Sequence, residues 1–243
     1  HGGVIPYGGT FLVFTDYCRP SIRLSALMKL RVIYVMTHDS IGLGEDGPTH
    51  QPVEHLSALR SIPNLNVYRP ADAVETLECW EHALRTSQTP SIIALSRQNL
   101  PLVRHENKAG NLCSRGGYII KQSSQKNIKV TIIATGSEVS IALEAQTKLE
   151  DDGIPTCVVS MPCLDIFNAQ SEKYQNSVIT PESDVIVVEA GVQQSWDKLL
   201  GRSGAFIGMD SFGASAPAED LFNHYQITAE EIIKVATKKF VSS

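Results

Sequence analysis

The chain has 243 residues, of which 42% are hydrophobic and 19% are charged, a balance that is typical of a globular protein and excludes a disordered or collagen-like one. Its 21 Lys and Arg residues against 26 Asp and Glu residues give a net charge of -5, without the basic excess that binding to a phosphate backbone uses, so we expect no nucleic acid as a partner. Every apolar run is far shorter than the roughly 20 residues that span a bilayer, so we expect no membrane partner either.

Strands and helices are predicted to alternate along the chain. Short β-branched runs predict strands over residues 32–36, 66–68, 91–95, 130–134, 157–160 and 184–188. Apolar residues at helical spacing predict helices over residues 11–30, 53–61, 72–85, 138–151 and 229–241. Asp72 and Ser137 stand where two of these helices are expected to have their N-caps. The alternation predicts an α/β fold with mainly parallel sheets flanked by helices.

A polar connection separates the predicted elements into two groups. Residues 101–117 contain three glycines and no sustained apolar period, which is typical of a linker. We therefore expect two domains, each built on its own sheet.

The cysteines and the start of the chain give two further expectations. Five cysteines without a C-x-x-C pair fit neither a disulfide framework nor a zinc site, so we expect a reducing compartment and a cytoplasmic protein. The chain opens with His1-Gly2-Gly3 rather than with Met or a charged leader, so we expect it to be a piece of a longer protein.

The densest group of polar side chains follows the first predicted strand. Residues 37–52 contain two His, three acidic residues and three Gly, and ligands of open parallel sheets gather beyond the strand C-termini. One interpretation is a dinucleotide site, because Gly42, Gly44 and Gly47 satisfy the spacing G-x-G-x-x-G. Against it, Glu45 and Asp46 would stand where a pyrophosphate needs positive potential.

A metal site and a plain surface loop are the other interpretations of these residues. Four side chains have suitable donor atoms for a metal, although their spacing matches no familiar ligand pattern: His38, Asp39, Asp46 and His50. Alternatively, the polar side chains hydrogen-bond the backbone of a Gly-rich surface loop. Residue chemistry alone leaves these alternatives open.

Aromatic side chains recur near the start of the chain. Phe11, Phe14 and Tyr17 are spaced so that one helical face carries three rings. Such a stripe either belongs to the core or forms a flat shelf that stacks on a planar heterocycle.

Arg97 follows the predicted strand 91–95, where its guanidinium would pair with a substrate phosphate or carboxylate, or simply with a surface acid.

Residues 37–54, THDSIGLGEDGPTHQPVE, resemble the signature loop of the transketolases, which are thiamine diphosphate enzymes. The resemblance covers essentially the whole chain, through GGTFL at 8–12, YRPAD at 68–72, LSRQNL at 95–100, ATGSEV at 134–139 and FGASAP at 212–217. It implies that residues 1–104 are the later part of a pyrimidine-binding domain with the thiamin diphosphate-binding fold. Residues 105–115 would then be a linker and residues 116–243 a transketolase C-terminal domain.

The resemblance also implies a cofactor and an assembly. Phe11, Phe14 and Tyr17 fall on positions that surround the aminopyrimidine ring of thiamine diphosphate, which transketolases bind with Mg2+ or Ca2+ between the two subunits of a homodimer. The family's glutamate that protonates the aminopyrimidine nitrogen lies upstream of His1, and the diphosphate and metal sites lie outside this chain as well. We therefore expect no metal ligands here and no activity from this chain alone.

Four positions match family residues that contact the sugar phosphate. His38 and Arg97 match residues that hold its phosphate, which suits an imidazole donor and a cationic fork. Asp46 matches the acid that hydrogen-bonds the C2 hydroxyl of the donor. His50 matches a catalytic and substrate-binding histidine near the ketol oxygens, where it stabilises charge or moves protons.

The function that the resemblance implies is ketol transfer. The intact enzyme would move a two-carbon unit from a ketose phosphate such as xylulose 5-phosphate to ribose 5-phosphate or erythrose 4-phosphate, as part of the pentose phosphate pathway. Two alternatives stay open: a dihydroxyacetone synthase, which uses formaldehyde as acceptor, and a non-catalytic transketolase-like binding module.

Overall fold

The computed structural model describes residues 3–104 and 110–242, which contain two sheets. The first sheet has four parallel strands in the order β1-β2-β4-β3. These strands are β1 (Tyr7–Phe11), β2 (Ile33–Thr37), β3 (Asn66–Tyr68) and β4 (Ser91–Leu95). Because parallel strands end at the same edge of a sheet, the residues that follow β1, β2 and β4 are brought together.

Helices cover both faces of this sheet. They are α1 (Thr15–Leu27), α2 (His55–Arg60) and α3 (Ala73–Arg85), and a 3-10 turn over Leu12–Phe14 joins β1 to α1. Apolar residues of α1 and α2 share one buried cluster with β2, β3 and β4. The other face is buried against α3 together with Tyr118 and Cys163. These two residues belong to the part of the chain that forms the second sheet and its helices, which is called the second half below.

The second sheet has five strands in the order β5-β7-β6-β8-β9, and only β5 is antiparallel to its neighbour. The strands are β5 (Tyr118–Lys121), β6 (Val130–Ala134), β7 (Thr156–Ser160), β8 (Asp184–Val188) and β9 (Ala205–Ile207). The helices are α4 (Glu138–Asp151), α5 (Leu164–Asn168), α6 (Glu172–Val178), α7 (Asp197–Leu200), α8 (Ala218–His224) and α9 (Ala229–Ser242). α4 and α9 pack on one face, and α5, α6 and α7 pack on the other. The expected α/β class, with mainly parallel sheets flanked by helices, is confirmed.

The sequence patterns predict the bounds of four strands and one helix correctly. The strands predicted over 66–68, 91–95, 130–134 and 184–188 and the helix over 138–151 have the predicted bounds. The helix predicted over 11–30 is wrong at its start, because Phe11 is the last residue of β1 and pairs with Thr37 of β2. Its α-helical part covers only Thr15–Leu27.

Several short elements were not predicted from the sequence: β1, β5, β9 and the helices α5 to α8. β1 contains two glycines, which are depleted in strands, so its pattern does not resemble a strand. The glycines have a packing reason at Gly9, where a Cβ would lie 2.9 Å from the carbonyl oxygen of Val35. The four helices have between four and seven residues, too few for a helical period to stand out.

The two expected N-caps differ in outcome. The Asp72 carboxylate accepts from the backbone N–H of Glu75 at 2.8 Å and caps α3 as predicted. Ser137 precedes α4 but makes no capping hydrogen bond, and its hydroxyl donates instead to Glu138 Oε1 at 2.6 Å. Ser137 thus takes part in a buried polar network that is described below.

The expected domain division stays a prediction, and residues 105–109 of the expected linker 105–115 lie outside the described residues. Within the described ranges, the first sheet ends at Leu95 and the second begins at Tyr118. Across these same ranges, every helix is too short or too polar to cross a membrane.

A partly buried carboxylate at the contact between the two halves leads to a prediction of how stability depends on pH. Asp165 in α5 accepts from the backbone N–H of Val67 at 3.4 Å, and burial raises the pKa of Asp165 to about 6. Because the pKa of Asp165 is raised, the folded chain binds this proton more tightly than the unfolded chain does. Protonation of Asp165 therefore stabilises the fold at low pH, and this contribution to the free energy of unfolding is lost as pH rises from about 4 to above 6.

We therefore expect Asp165→Asn to become more stable relative to the parent as pH rises from 4 to 7, by about 1–2 kcal/mol after allowance for partial solvent screening. Urea unfolding at several pH values measures this difference. Asp152→Asn, which removes an exposed carboxylate at the end of α4, is the control. A constant difference between Asp165→Asn and the parent would contradict the assignment.

Candidate functional site

The ends of three neighbouring strands supply the candidate site. β1 ends at Phe11, β2 is followed by His38, and Arg97 follows β4 by two residues. Since β1, β2 and β4 are adjacent and parallel, these side chains lie at one edge of the sheet. Residues 38–51, which leave this edge after β2, are called the site loop below.

The three aromatic side chains predicted to bind a cofactor form a row, in which Phe14 lies between Phe11 and Tyr17. The rings of Phe11 and Phe14 are stacked, with centroids 5.7 Å apart, and the Tyr17 ring lies 6.0 Å from that of Phe14. Tyr17 is 85% exposed, while Phe11 and Phe14 are partly buried. These rings therefore form a partly open shelf rather than closed core, which suits a planar heterocycle.

Two histidines of the site loop join this aromatic group. The His38 ring stacks on Phe11 with centroids 3.6 Å apart, and the His50 ring meets Phe14 edge-on at 5.7 Å. Each imidazole is also oriented by the preceding threonine, through Thr37 Oγ1 to His38 Nδ1 at 3.0 Å and Thr49 Oγ1 to His50 Nδ1 at 2.9 Å. The fold thus brings the predicted cofactor residues and the two histidines into one cluster.

The charged candidates surround His38. Burial lowers the pKa of His38 below its ordinary value, the nearby carboxylate of Asp46 opposes this shift, and the guanidinium of Arg97 adds to it. At neutral pH the imidazole is therefore neutral and can donate one hydrogen bond and accept another. Asp46 and Arg97 are both exposed, so their charges are available to a ligand.

The backbone at His38 is strained. Its φ is 60°, in the left-handed region where a non-glycine residue costs of order 1–3 kcal/mol. The strain turns the chain so that His38 faces the aromatic cluster while Asp39, its neighbour, is buried at 2% exposure. Backbone strain of this kind is concentrated at functional sites.

Asp39 is held by a buried cation, Arg69, which directly follows β3. Arg69 Nε donates to Asp39 Oδ2 at 2.9 Å, and Arg69 also pairs with Glu138 and donates to Thr135 Oγ1 at 2.8 Å. Burial disfavours the guanidinium charge, but Glu138 and Asp39 outweigh it and raise the pKa of Arg69 above its ordinary value. Glu138 is the first residue of α4, and Thr135 directly follows β6 of the second sheet. This network therefore joins the start of the site loop to the second sheet.

The network extends to a second buried pair. Both oxygens of Glu189 accept from Arg60 at 2.7 Å, and Glu189 Oε1 also accepts from Trp196 Nε1 at 2.9 Å. Burial alone would raise the pKa of Glu189, but Arg60 outweighs it and holds the value at about 2. Thr135 Oγ1 donates to Glu189 Oε2 at 2.7 Å and so connects the two pairs.

Sequence reasoning missed these buried ion pairs. The paired residues are far apart in the chain, and the pairs of Arg69 with Glu138 and of Arg60 with Glu189 join different halves, so the sequence carries no local signal for them. The Arg69 side chain occupies the space beside the turn at Thr135-Gly136-Ser137, which precedes α4. A Cβ at Gly136 would lie 2.8 Å from Arg69 Cζ.

The geometry decides between the interpretations of the site loop. A dinucleotide turn would lead directly into a helix, but Ile41–Leu43 is a short 3-10 turn and α2 begins only at His55. The plain surface loop is also wrong in part, because residues 39–44 are buried. Of the four residues with metal-binding donors, Asp39 faces Arg69, and the described residues contain no group of three or more acidic, His or Cys side chains that could hold a metal ion.

Comparison with known proteins gives one consistent result. The family model described as "Transketolase, pyrimidine binding domain" matches residues 1–103, and the model of the transketolase-like C-terminal domain matches residues 116–228. The transketolase of Cereibacter sphaeroides is 56% identical over 239 residues, which are 98% of this chain and 36% of that protein. The chain thus spans about a third of the length of the curated relatives that it matches.

Solved structures agree with this result. A Pichia stipitis transketolase in complex with sedoheptulose-7-phosphate matches with a TM-score of 0.88 and 43% identity, over 96% of this chain and 33% of that one. A structure described as a split gene transketolase, inactive beta4 tetramer, matches with a TM-score of 0.80 and 26% identity, over 97% of this chain and 76% of that one. The chain therefore belongs to the transketolase family, and it carries sequence of both the pyrimidine-binding and the C-terminal domain.

Proposed function

We propose that this chain supplies the pyrimidine pocket and the sugar-phosphate loop of a thiamine diphosphate-dependent ketol transferase. Its activity would move a two-carbon unit from a ketose phosphate such as xylulose 5-phosphate to an aldose phosphate such as ribose 5-phosphate or erythrose 4-phosphate, the transketolase reaction of the pentose phosphate pathway. The observation that carries the proposal is the cluster of aromatic rings, imidazoles and opposite charges at one edge of the first sheet.

The aromatic shelf would hold the cofactor. Phe11, Phe14 and Tyr17 present a partly exposed, ring-lined surface of the kind that stacks on an aminopyrimidine. Thiamine diphosphate supplies the carbanion-stabilising chemistry that breaking a carbon–carbon bond next to a carbonyl group needs. We assign the binding of its diphosphate, and of the Mg2+ or Ca2+ that accompanies it, to residues beyond this chain.

The site loop and Arg97 would hold the sugar phosphate. Arg97 is exposed, and its planar guanidinium is suited to a bidentate contact with a phosphate. His38, neutral near pH 7, would donate a hydrogen bond to the same group. Asp46 would accept a hydrogen bond from a sugar hydroxyl, and His50 would donate or accept a proton at the ketol oxygens.

A second copy of the chain is the partner that we propose for α1. Three apolar side chains of this region are more than half exposed: Leu24 at 51%, Leu27 at 69% and Met28 at 57%. Such a stripe next to the exposed Tyr17 marks an interaction surface. Its burial in a homodimer would place the aromatic shelf beside the second subunit, as in enzymes that bind a cofactor between subunits.

Three remaining expectations belong to the proposal. The domains would cover residues 1–104 and 116–243 with a linker at 105–115, which agrees with the extents of the two sheets. Cytoplasmic location is supported by the five free cysteines. Inactivity of this chain by itself is supported by the split gene transketolase, which is described as an inactive beta4 tetramer.

Acceptor choice tests the proposed function against a dihydroxyacetone synthase and a binding module. We would build a hybrid in which this chain replaces the matching segment of the Cereibacter sphaeroides transketolase, and supply xylulose 5-phosphate with either ribose 5-phosphate or formaldehyde. We expect ribose 5-phosphate to be preferred, because Arg97 and His38 would contact the phosphate of this acceptor. Preference for formaldehyde would favour the synthase, and no transfer to either acceptor by a folded, cofactor-binding hybrid would favour the binding module.

A further inference from the structure

A segment between β9 and α8 packs against the site loop. We call residues 212–217 the contact segment. Gln51, which is 2% exposed, donates from Nε2 to the carbonyl oxygen of Ala214 at 2.9 Å and to that of Gly44 at 3.0 Å. One buried amide therefore ties the end of the site loop to its middle and to the contact segment.

A second hydrogen bond lies on the other side of the same loop. Ser215 Oγ donates to the carbonyl oxygen of Glu45 at 2.5 Å. The loop approaches closely here because Gly47 has no side chain, since a Cβ on Gly47 would lie 3.2 Å from the Cβ of Ser215. Gly47 also has a φ of 78°, which favours glycine.

The closest packing is at Gly213. A Cβ on this residue would lie 1.7 Å from Gln51 Oε1 and 3.3 Å from Cγ2 of Ile41, a fully buried site-loop residue. The φ of Gly213 is outside the left-handed region, so its backbone accepts alanine. An added methyl group would therefore act through its collision with Gln51 rather than through backbone strain.

The contacts stand on either side of the proposed substrate residues. Asp46 directly follows Glu45, whose carbonyl oxygen accepts from Ser215, and His50 directly precedes Gln51. Asp46 is exposed and His50 is partly exposed. Their chain neighbours, Glu45 and Gln51, are the residues that hydrogen-bond the contact segment. Displacement of Gln51 would therefore act first on His50 and Asp46, and would reach the aromatic shelf only through the edge-on contacts of the His50 ring with Phe14 and Phe11.

We propose that the contact segment positions Asp46 and His50 for the sugar phosphate, with Gln51, Gly213 and Ser215 as positioning residues. This inference rests on the proposed function and deepens it, because it gives the C-terminal half a part in substrate binding. The Arg69 network holds the other end of the loop, at Asp39. The site loop is thus supported by the second half of the chain at both ends.

Gly213→Ala in the 243-residue chain tests the contact itself. We expect the backbone N–H groups of residues 43–47 and 49–51 to exchange hydrogen for deuterium about tenfold faster, because their loop hydrogen bonds lose support while the sheets stay closed. The affected bonds include Gly47 N–H to Gly44 and His50 N–H to Gly47. Unchanged exchange in this loop would overturn the proposal.

Kinetics of the hybrid test the positioning role. We expect Gly213→Ala to raise the KM for xylulose 5-phosphate about 10- to 100-fold, as small displacements of binding groups do, while the Kd for thiamine diphosphate changes much less, because the stacking of Phe11 on Phe14 stays in place. A general loss of structure would weaken both. Faster loop exchange with an unchanged KM would overturn the proposal, since the loop would then be loosened without consequence for the substrate.

Ser215→Ala is the second variant, and it decides the matter if Gly213→Ala does not fold. Its matched control is Ser211→Ala, which removes an exposed hydroxyl four residues earlier that, among the described residues, donates only to the neighbouring Phe212 carbonyl oxygen, at 3.4 Å. We expect faster loop exchange and a higher KM from Ser215→Ala alone, and equal behaviour of the two variants would count against the role of Ser215.

If the parent hybrid transfers no ketol unit, the proposed function fails. Loop exchange and the calorimetric affinity for xylulose 5-phosphate, which need no turnover, then still decide the positioning role.

Discussion

Replacing His50 with glutamine in the hybrid is expected to lower kcat for ketol transfer by about 10²- to 10⁴-fold, the usual contribution of a general acid–base group. The side chain lies edge-on to Phe14, with its Nδ1 held by Thr49, so its other nitrogen can face the substrate. Glutamine keeps a hydrogen-bonding group of similar reach but cannot exchange a proton near pH 7. The loss should therefore appear in kcat more than in KM.

The control for this prediction is His224→Gln, which makes the same change at an exposed histidine at the end of α8. It should leave both kinetic constants unchanged. Steady-state assays with xylulose 5-phosphate and ribose 5-phosphate measure the two variants side by side. If His50→Gln raised KM while kcat stayed intact, His50 would be a binding residue only.

Replacing Arg69 with methionine is expected to destabilise the chain by about 3–5 kcal/mol, which is typical when one member of a buried ion pair is removed. Arg69 is fully buried and pairs with both Asp39 and Glu138. Methionine has a similar apolar length but leaves two buried carboxylates without their cation. Urea unfolding of parent and variant measures the difference.

Arg85→Met is the matched control, because Arg85 forms an exposed pair with Glu81 on α3, and such pairs contribute about 0–1 kcal/mol. A second comparison tests the mechanism. Adding Glu138→Gln to Arg69→Met should cost less than the sum of the two single changes, because the second change removes one of the unpaired charges. An Arg69→Met variant as stable as the parent would show that the network contributes nothing to folding.

The sequence predicts the buried frame of the fold well because its apolar patterns are strong. Apart from the first residues of β4 and β8, Ser91 and Asp184, the strands β4, β6 and β8 consist of apolar or β-branched residues, and the sequence predicts their bounds residue for residue. β1 was missed because glycines stand where strand formers are expected, and this error placed Phe11 in a helix. The aromatic group itself was still identified, because the spacing of Phe11, Phe14 and Tyr17 continues from the strand end into α1.

The candidate site could be predicted only as a set of residues. The resemblance named His38, Asp46, His50 and Arg97, and the parallel order of β1, β2 and β4 explains why they meet. The parts that hold them in place were not predictable, because pairs such as Gln51 with Ala214 join residues 163 positions apart. Nothing local in a sequence marks a glycine such as Gly213 as the space that a distant amide occupies.

Ketol transfer from xylulose 5-phosphate to ribose 5-phosphate, measured for the hybrid and for the isolated 243-residue chain, tests the central claim most directly. The claim is that this chain supplies the pyrimidine pocket and the sugar-phosphate loop, while other residues supply the diphosphate site. We predict turnover by the hybrid with thiamine diphosphate and Mg2+, and no turnover by the isolated chain under the same conditions. A folded hybrid that binds the cofactor but transfers nothing, or an isolated chain that turns over by itself, would contradict the claim.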